Sequence, residues 1–331
     1  MLTVFRGFNR PAASGFAKSQ CALTIGNFDG VHRGHQAMLA LLKSEARHRN
    51  VPSVVMTFEP HPRDYFASRA GKPELAPTRI ATLRDKVSEL ARCGIDQLAV
   101  LPFSANLAQL SPQDFVDKVL VNGMQVAYVL VGDDFRFGAK RAGDYAMLDA
   151  AGSAQGFDVA RMMSYEVHGL RVSSSAVRAA LQGGDMRLAA ALLGRPYAIS
   201  GHVAHGQKLG RSLGFRTLNI AFGHEKPAAL GIFVARVHGL RDARGHALAP
   251  LDAVASLGVR PSVEHAGRVL LEAHALNWPT ELSENDGYGQ CVSVELLHKL
   301  HDERKYASLA ELTAGIAADT EAAVQWFAIC R

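Results

Sequence analysis

The chain has 331 residues, about twice the ~150 that serve as a prior for one domain, so two domains are expected, each able to bury its own core. Hydrophobic residues at 48% and charged residues at 20% exclude a disordered or collagen-like chain, and no stretch approaches the ~20 continuous apolar residues of a membrane span. The net charge of +5, from 36 basic and 31 acidic side chains, suits anionic small molecules such as nucleotides as well as nucleic acid. No run of five or more basic residues occurs, so a polyanion-binding stripe is not expected. The first residues lack an apolar signal core, and Cys21, Cys93, Cys291 and Cys330 form no CxxC pair. Both features fit a reducing cytoplasm, without a disulfide framework or a zinc site.

In the first half, residues 21–26, 53–58, 97–103 and 127–132 read as strands, apolar nearly throughout. Between them, residues 34–49 and 81–94 carry apolar residues at three- and four-residue spacing, the pattern of amphipathic helices. Strands apolar on both faces and alternating with helices imply a parallel sheet covered on each side. Ligands of such sheets sit beyond the carboxyl ends of the strands. After about residue 185 the pattern changes, to strands at 197–206, 217–222, 231–240, 252–258, 269–276 and 291–297 with no useful helix between them, which suggests a closed antiparallel barrel. A final amphipathic helix over 308–328 has Ser308 as its expected N-cap and Glu311 three residues on. The junction falls in 181–196, where Gly183–Gly184 end one helix and Asp185 caps a short one. The expected domains are 1–186 and 187–331.

GNFDGVHRGH (26–35) follows the first of these strands and leads into a helix. Gly26 and Gly30 permit close backbone approach, and a helix N-terminus offers free amides to phosphate. His32 and His35 are three apart on the first turn, so both can face one ligand and stabilise charge on a phosphorus centre. VSSSAVR (172–178) reads either as an anion site or as a plain capped helix start. VGDDFRFG (131–138) reads either as a ligand loop or as a turn whose aromatic residues cover the sheet edge. Pro60 and Pro62 of TFEPHP (57–62) imply an extended loop, from which His61 reaches a ligand or solvent. GHVAHGQKLGRSLGFRTLN (201–219) is glycine-rich and basic, but is not the GxxxxGK[ST] phosphate loop, and reads either as a phosphate wrap or as barrel turns. Glu272 stands in an otherwise apolar strand, a costly place for an acid unless it meets a polar site.

GNFDGVHRGH resembles the HxGH signature of the nucleotidyltransferase superfamily. With TFEPHP, VGDDFRFG and VSSSAVRAAL in order, the whole chain resembles the bacterial bifunctional riboflavin kinase/FMN adenylyltransferase family. The resemblance implies an N-terminal Rossmann-like nucleotidyltransferase sheet and a C-terminal riboflavin kinase-like barrel with its terminal helix. It implies phosphorylation of riboflavin to FMN, then adenylyl transfer from ATP to FMN, giving FAD and pyrophosphate. ATP is then a co-substrate in both reactions, beside magnesium at each site. In the first reading His32 and His35 contact the ATP phosphates, joined by Gly26, Asn27, Gly34, Ser174, Ser175 and Arg178. His61, Asp133, Phe135 and Phe137 would meet the flavin. In the barrel Gly206, Lys208, Gly210 and Arg211 would wrap phosphate, Thr217 and Asn219 would hold magnesium, and Glu272 would accept the riboflavin proton.

Three places depart from the family pattern: Arg216, where the RTLN element usually carries proline; Ser256 and Val259, where polar residues are usual; and the stretch 276–289. A second reading therefore keeps adenylyl transfer but has a weak or silent kinase barrel. Partners implied are riboflavin, FMN, FAD, ATP, ADP and pyrophosphate, with no nucleic acid and no membrane. Self-association is left open.

Overall fold

Thr3–Arg6 (β1), Cys21–Ile25 (β2), Ser53–Glu59 (β3), Gln97–Pro102 (β4), Val126–Gly132 (β5) and Asp158–Met162 (β6) form one sheet in the order β1-β4-β3-β2-β5-β6. Every neighbouring pair is parallel. The computed structural model describes residues 1–12, 20–167, 169–205, 215–222, 226–259, 269–282 and 287–330. By its contacts the chain divides into two units: Met1–Pro77 with Lys86–Ser173, and Thr78–Asp85 with Ser174–Arg331.

Alternation along the parallel strands explains the layers of the first unit. Cys21, Leu23, Ile25, Val54 and Met56 face a core made with Phe115, Val119, Leu120, Leu148 and Phe157. Ala22, Val55, Leu98 and Leu130 face the other core, against Leu39 and Leu42 of the helix Arg33–Arg49 and Leu90 of the helix Leu83–Arg92. The sheet is thus covered on both faces, as expected of strands apolar on both sides. From β2 the chain builds outward to β3 and β4, then returns to place β5 on the other side of β2. That reversal opens a crevice beyond the carboxyl end of β2, where GNFDGVHRGH begins. A two-stranded hairpin, Glu166–Val167 (β7) with Leu170–Arg171 (β8), follows β6.

In the second unit Tyr197–Ala204 (β9), Thr217–Ala221 (β10), Gly231–His238 (β11), Leu251–Val259 (β12), Val269–Ala275 (β13) and Cys291–His301 (β14) close into a barrel, in the order β10-β13-β12-β11-β14-β9. All its pairs are antiparallel. Phe233, Ala255, Ala273 and Leu218 stand in one cross-strand row and are buried; they form part of the apolar inward face. The terminal helix Leu309–Ile329 is capped by Ser308, whose Oγ accepts from the Glu311 amide at 3.2 Å. It lays Ala323 and Phe327 over Val234 and Val254 on the outside of the barrel, with the Arg236 guanidinium above the Phe327 ring. Upstream, the helix Ser174–Gln182 ends before Gly184, whose φ of +75° needs glycine. Asp185 then caps Met186–Leu193, accepting from the Leu188 amide at 2.9 Å.

One local expectation is corrected. Residues after Pro60 do not form an extended loop; Pro62 is the first residue of a helix, Pro62–Arg69. Proline suits that position because its missing N–H would have no partner in the first turn.

Candidate active sites

In the first unit the backbone between β2 and the helix Arg33–Arg49 is sharply turned. Phe28, Gly30 and Val31 have φ of +48°, +80° and +40°, a region that a β-branched residue such as Val31 rarely adopts. His32 caps the helix: its Nδ1 accepts from the His35 amide at 3.3 Å, which leaves its proton on Nε2. The His32 and His35 rings stack with centroids 3.7 Å apart at 15°, and Phe28 closes against His35 at 4.8 Å. Burial first, then His32 and Lys86, hold His35 well below the ordinary imidazole range, so it is neutral at pH 7. The His35 Nδ1 and the Asn27 Oδ1 are buried without a hydrogen-bond partner among the described residues. Such orphans call for a ligand or water.

The flanking glycines are there for space. A Cβ on Gly26 would stand 3.1 Å from the Phe28 ring, and one on Gly34 would stand 3.3 Å from the His32 ring and the Val172 carbonyl. Two residues that the sequence reading did not single out support this loop. Thr57 donates to the Asn27 carbonyl at 3.1 Å, and Lys86 donates to the Thr57 hydroxyl at 3.1 Å. A signal for Lys86 existed: it lies three residues after Leu83 and four before Leu90, on the apolar stripe of its helix.

The residues read as flavin contacts fall in different environments. His61 is buried and caps the helix Pro62–Arg69, its Nδ1 accepting from the Arg63 amide at 3.1 Å. Phe137 is 6% exposed and packs in the core, 5.7 Å from Phe115. Phe135, partly buried, stacks on it at 5.6 Å. The Asp133 carboxylate accepts from Ser164 and from Arg171, the latter at 3.1 Å. The Ser164 hydrogen bond foremost, with the Arg171 charge, holds it below the usual carboxylate range.

Ser174, Ser175 and Arg178 lie in the second unit. Ser174 and Ser175 open the helix Ser174–Gln182, and the Arg178 Nε donates to the Thr78 carbonyl at 2.6 Å. Gly206, Lys208, Gly210 and Arg211 lie outside the described residues.

In the barrel, Leu271 and Ala273 are buried to the inside, so alternation puts Glu272 and His274 on the opposite face. Asn219 pairs with Glu272 and Thr217 with His274 across β10 and β13, while Ser256 of β12 is the other partner of Glu272. Three of the proposed kinase residues therefore share one face. Asn219 is 9% exposed, and its Oδ1 is buried with no hydrogen-bond partner among the described residues. Oxygen donors of this kind, a hydroxyl and an amide carbonyl, suit magnesium. The guanidinium of Arg216 lies 5.5 Å from the centre of the Trp278 ring. The Arg216 carbonyl hydrogen-bonds the His274 Nδ1 at 3.0 Å.

Comparison with known proteins matches both halves. Residues 16–176 match the family model described as FAD synthetase, and residues 193–327 match the one described as riboflavin kinase. Fold and matches together define a two-module transferase, a nucleotidyltransferase sheet followed by a kinase barrel. The chain belongs to the bifunctional riboflavin kinase/FMN adenylyltransferase family. The bifunctional riboflavin kinase/FMN adenylyltransferase of Escherichia coli K12 is 43% identical over 312 residues, 94% of each chain. The protein of the same description from Pseudomonas fluorescens is 43% identical over 303 residues, 92% of each chain. A crystal structure described as a macrolide-efflux protein from Streptococcus pneumoniae has a TM-score of 0.74 at 25% identity, covering 98% of this chain and 99% of that one. Among the described residues here, no helix is long and apolar enough to cross a membrane.

Proposed function

We propose that this chain phosphorylates riboflavin to FMN in its barrel, and adenylylates FMN to FAD in its sheet unit, using ATP for both. The observation that carries this reading is a parallel one. Each matched half holds an asparagine, Asn27 or Asn219, whose buried side-chain oxygen has no partner among the described residues. Each stands where the family reading puts phosphate or metal. We take the functional division at 186/187; that the matched regions end at 176 and begin at 193 is compatible with it.

In adenylyl transfer a phosphate oxygen of FMN attacks the α-phosphorus of ATP, and the bond from that phosphorus to the bridging oxygen of pyrophosphate breaks. The attacking oxygen is already anionic, so no strong base is needed; positioning and donors carry the step. The His32 Nε2 proton and the neutral His35 ring supply donors beside the free amides of the helix N-terminus. Gly26 and Gly34 keep the loop close to the phosphates, and Ser174, Ser175 and Arg178 add hydroxyls and a planar cation. His61, Asp133 and Phe135 remain the proposed flavin contacts, and Phe137, packed in the core, backs the Phe135 ring.

In the kinase step the ribityl hydroxyl attacks the γ-phosphorus, its proton passes to Glu272, and ADP leaves. Thr217 and Asn219 are the residues that would hold magnesium, which neutralises phosphate charge when bound. Gly206, Lys208, Gly210 and Arg211 are proposed to wrap the phosphates. The stacking of Arg216 on Trp278 favours an active barrel over the silent-kinase reading, because the added charge has a partner of its own. The family and the four free cysteines support a cytoplasmic location.

The test is one preparation of the full chain with riboflavin, ATP and magnesium, followed by chromatography. FMN accumulating first and FAD after it is the expected result. Conversion of FMN to FAD with riboflavin untouched would leave an adenylyltransferase alone.

A further inference from the structure

Lys86 is 1% exposed, on the helix Leu83–Arg92. An ammonium is costly to bury unless its protons are hydrogen-bonded, so its partners locate its use. One is the fully buried Thr57 hydroxyl near the carboxyl end of β3, at 3.1 Å; that hydroxyl donates onward to the Asn27 carbonyl, at 3.1 Å. The two bonds tie helix, strand and phosphate loop into one line. Directly after Asn27 the loop adopts positive φ at Phe28, Gly30 and Val31. Backbone of that kind persists only where its surroundings over-determine it.

We propose that Lys86 is a positioning residue for adenylyl transfer: through the Thr57 hydroxyl it anchors the Asn27 carbonyl, and so fixes the loop that aims Asn27 Oδ1, His32 and His35 at the triphosphate. This rests on the adenylyl-transfer reading of the sheet unit. The relay fixes main chain and leaves the Asn27 side-chain oxygen available, as its orphaned state requires. The ammonium has a second effect, because its charge adds to burial and to His32 in keeping His35 neutral.

The test compares wild type, Lys86→Met, Thr57→Val and Thr57→Ser as full chains, each assayed for FAD formation from FMN, for riboflavin phosphorylation and for thermal unfolding. Lys86→Met and Thr57→Val are expected to lower kcat for FAD formation by about 10- to 100-fold, the cost of a small misplacement of reacting groups, with the KM for FMN little changed. Thr57→Ser, which keeps the hydroxyl, recovers most of the rate, and riboflavin phosphorylation stays at the wild-type level in all. If Lys86→Met also loses the kinase activity, it has unfolded, and the Thr57→Val and Thr57→Ser pair decides. An active wild type with both Lys86→Met and Thr57→Val within about twofold of it, or with Thr57→Val and Thr57→Ser equally impaired, overturns this inference alone. A wild type that forms no FAD from FMN overturns the adenylyl-transfer reading, and the inference with it.

Discussion

Asn219 and Glu272 face each other across the β10–β13 ladder, so their side chains leave the same face of the barrel with Cβ atoms roughly 5 Å apart. An acid and an amide that close can serve one phosphoryl group, the acid taking the proton and the amide oxygen taking the metal. Glu272→Gln should therefore lower riboflavin phosphorylation by about 10²- to 10⁴-fold, the usual worth of a general base, while FAD formation from FMN is retained. Asn219→Ala should raise the magnesium concentration needed for half-maximal kinase rate. Chromatography with each flavin in turn reads the first, and a magnesium titration of the kinase reads the second. Equal loss of both activities in Glu272→Gln would show that the sites are not independent.

The stacked imidazoles of the sheet unit make the reciprocal prediction. His35→Ala should reduce adenylyl transfer by about 10²- to 10³-fold, as removal of one transition-state donor does, with riboflavin phosphorylation untouched. Retention of FAD synthesis in that variant would remove His35 from the machinery.

His35 also makes stability depend on pH. Its folded-state pKa lies well below 6.5, through burial first and then His32 and Lys86, whereas in the unfolded chain it is ordinary. Above 6.5 both states are neutral and the ring costs nothing. As pH falls below 6.5 the unfolded state takes up the proton first, so stability drops until the folded pKa is reached. Urea unfolding of wild type and His35→Asn between pH 7.5 and 5 should show wild type losing more stability on acidification. Parallel curves would contradict the assignment.

Thiol reactivity gives an independent check of the sheet core. Burial pushes the Cys21 thiol up to about 12, partly offset by Arg10, and its Sγ donates to the Met124 carbonyl at 3.4 Å. Cys291 and Cys330 are exposed. A chromogenic disulfide at pH 8 should label Cys291 and Cys330 quickly and Cys21 only after denaturation, as peptide mass mapping would reveal.

Most of the framework was legible because the central strands are apolar on both faces. β2, β3, β4 and β5 fall within a residue of their expected limits. β1 and β6 were missed for a physical reason: they are edge strands, with Thr3, Val4, Arg6, Asp158 and Arg161 exposed, so they lack the continuous apolar run of a central strand. The barrel strands were legible as short runs between turns, the last of them by alternation, although β14 runs four residues past its expected end, through the mostly polar His298-Lys299-Leu300-His301. Of the sites, the histidine pair and the Asn219–Glu272 opposition were both reachable from the residues and the family. Thr57 was not, since a threonine inside an apolar strand signals nothing until the fold brings it under Asn27; Lys86 left only its place on an apolar helix stripe, which says that it is buried but not that it serves Asn27. Phe137 shows the opposite case, an aromatic residue in a loop that turns out to fill the core.

The eight residues Thr78–Asp85 belong to the barrel unit although they come from far upstream in the chain. The Arg79 amide donates to the Lys226 carbonyl at 2.8 Å, and the Ala228 amide donates to the Arg79 carbonyl at 3.1 Å. The Arg84 guanidinium reaches His202 at 3.0 Å and Cys291 at 3.3 Å. Severing the polypeptide between its modules would strand this octapeptide on the wrong side of the cut. A liberated C-terminal fragment would keep its barrel but bare the main chain at Lys226 and Ala228, so gene splitting or domain transplantation must carry the borrowed segment along.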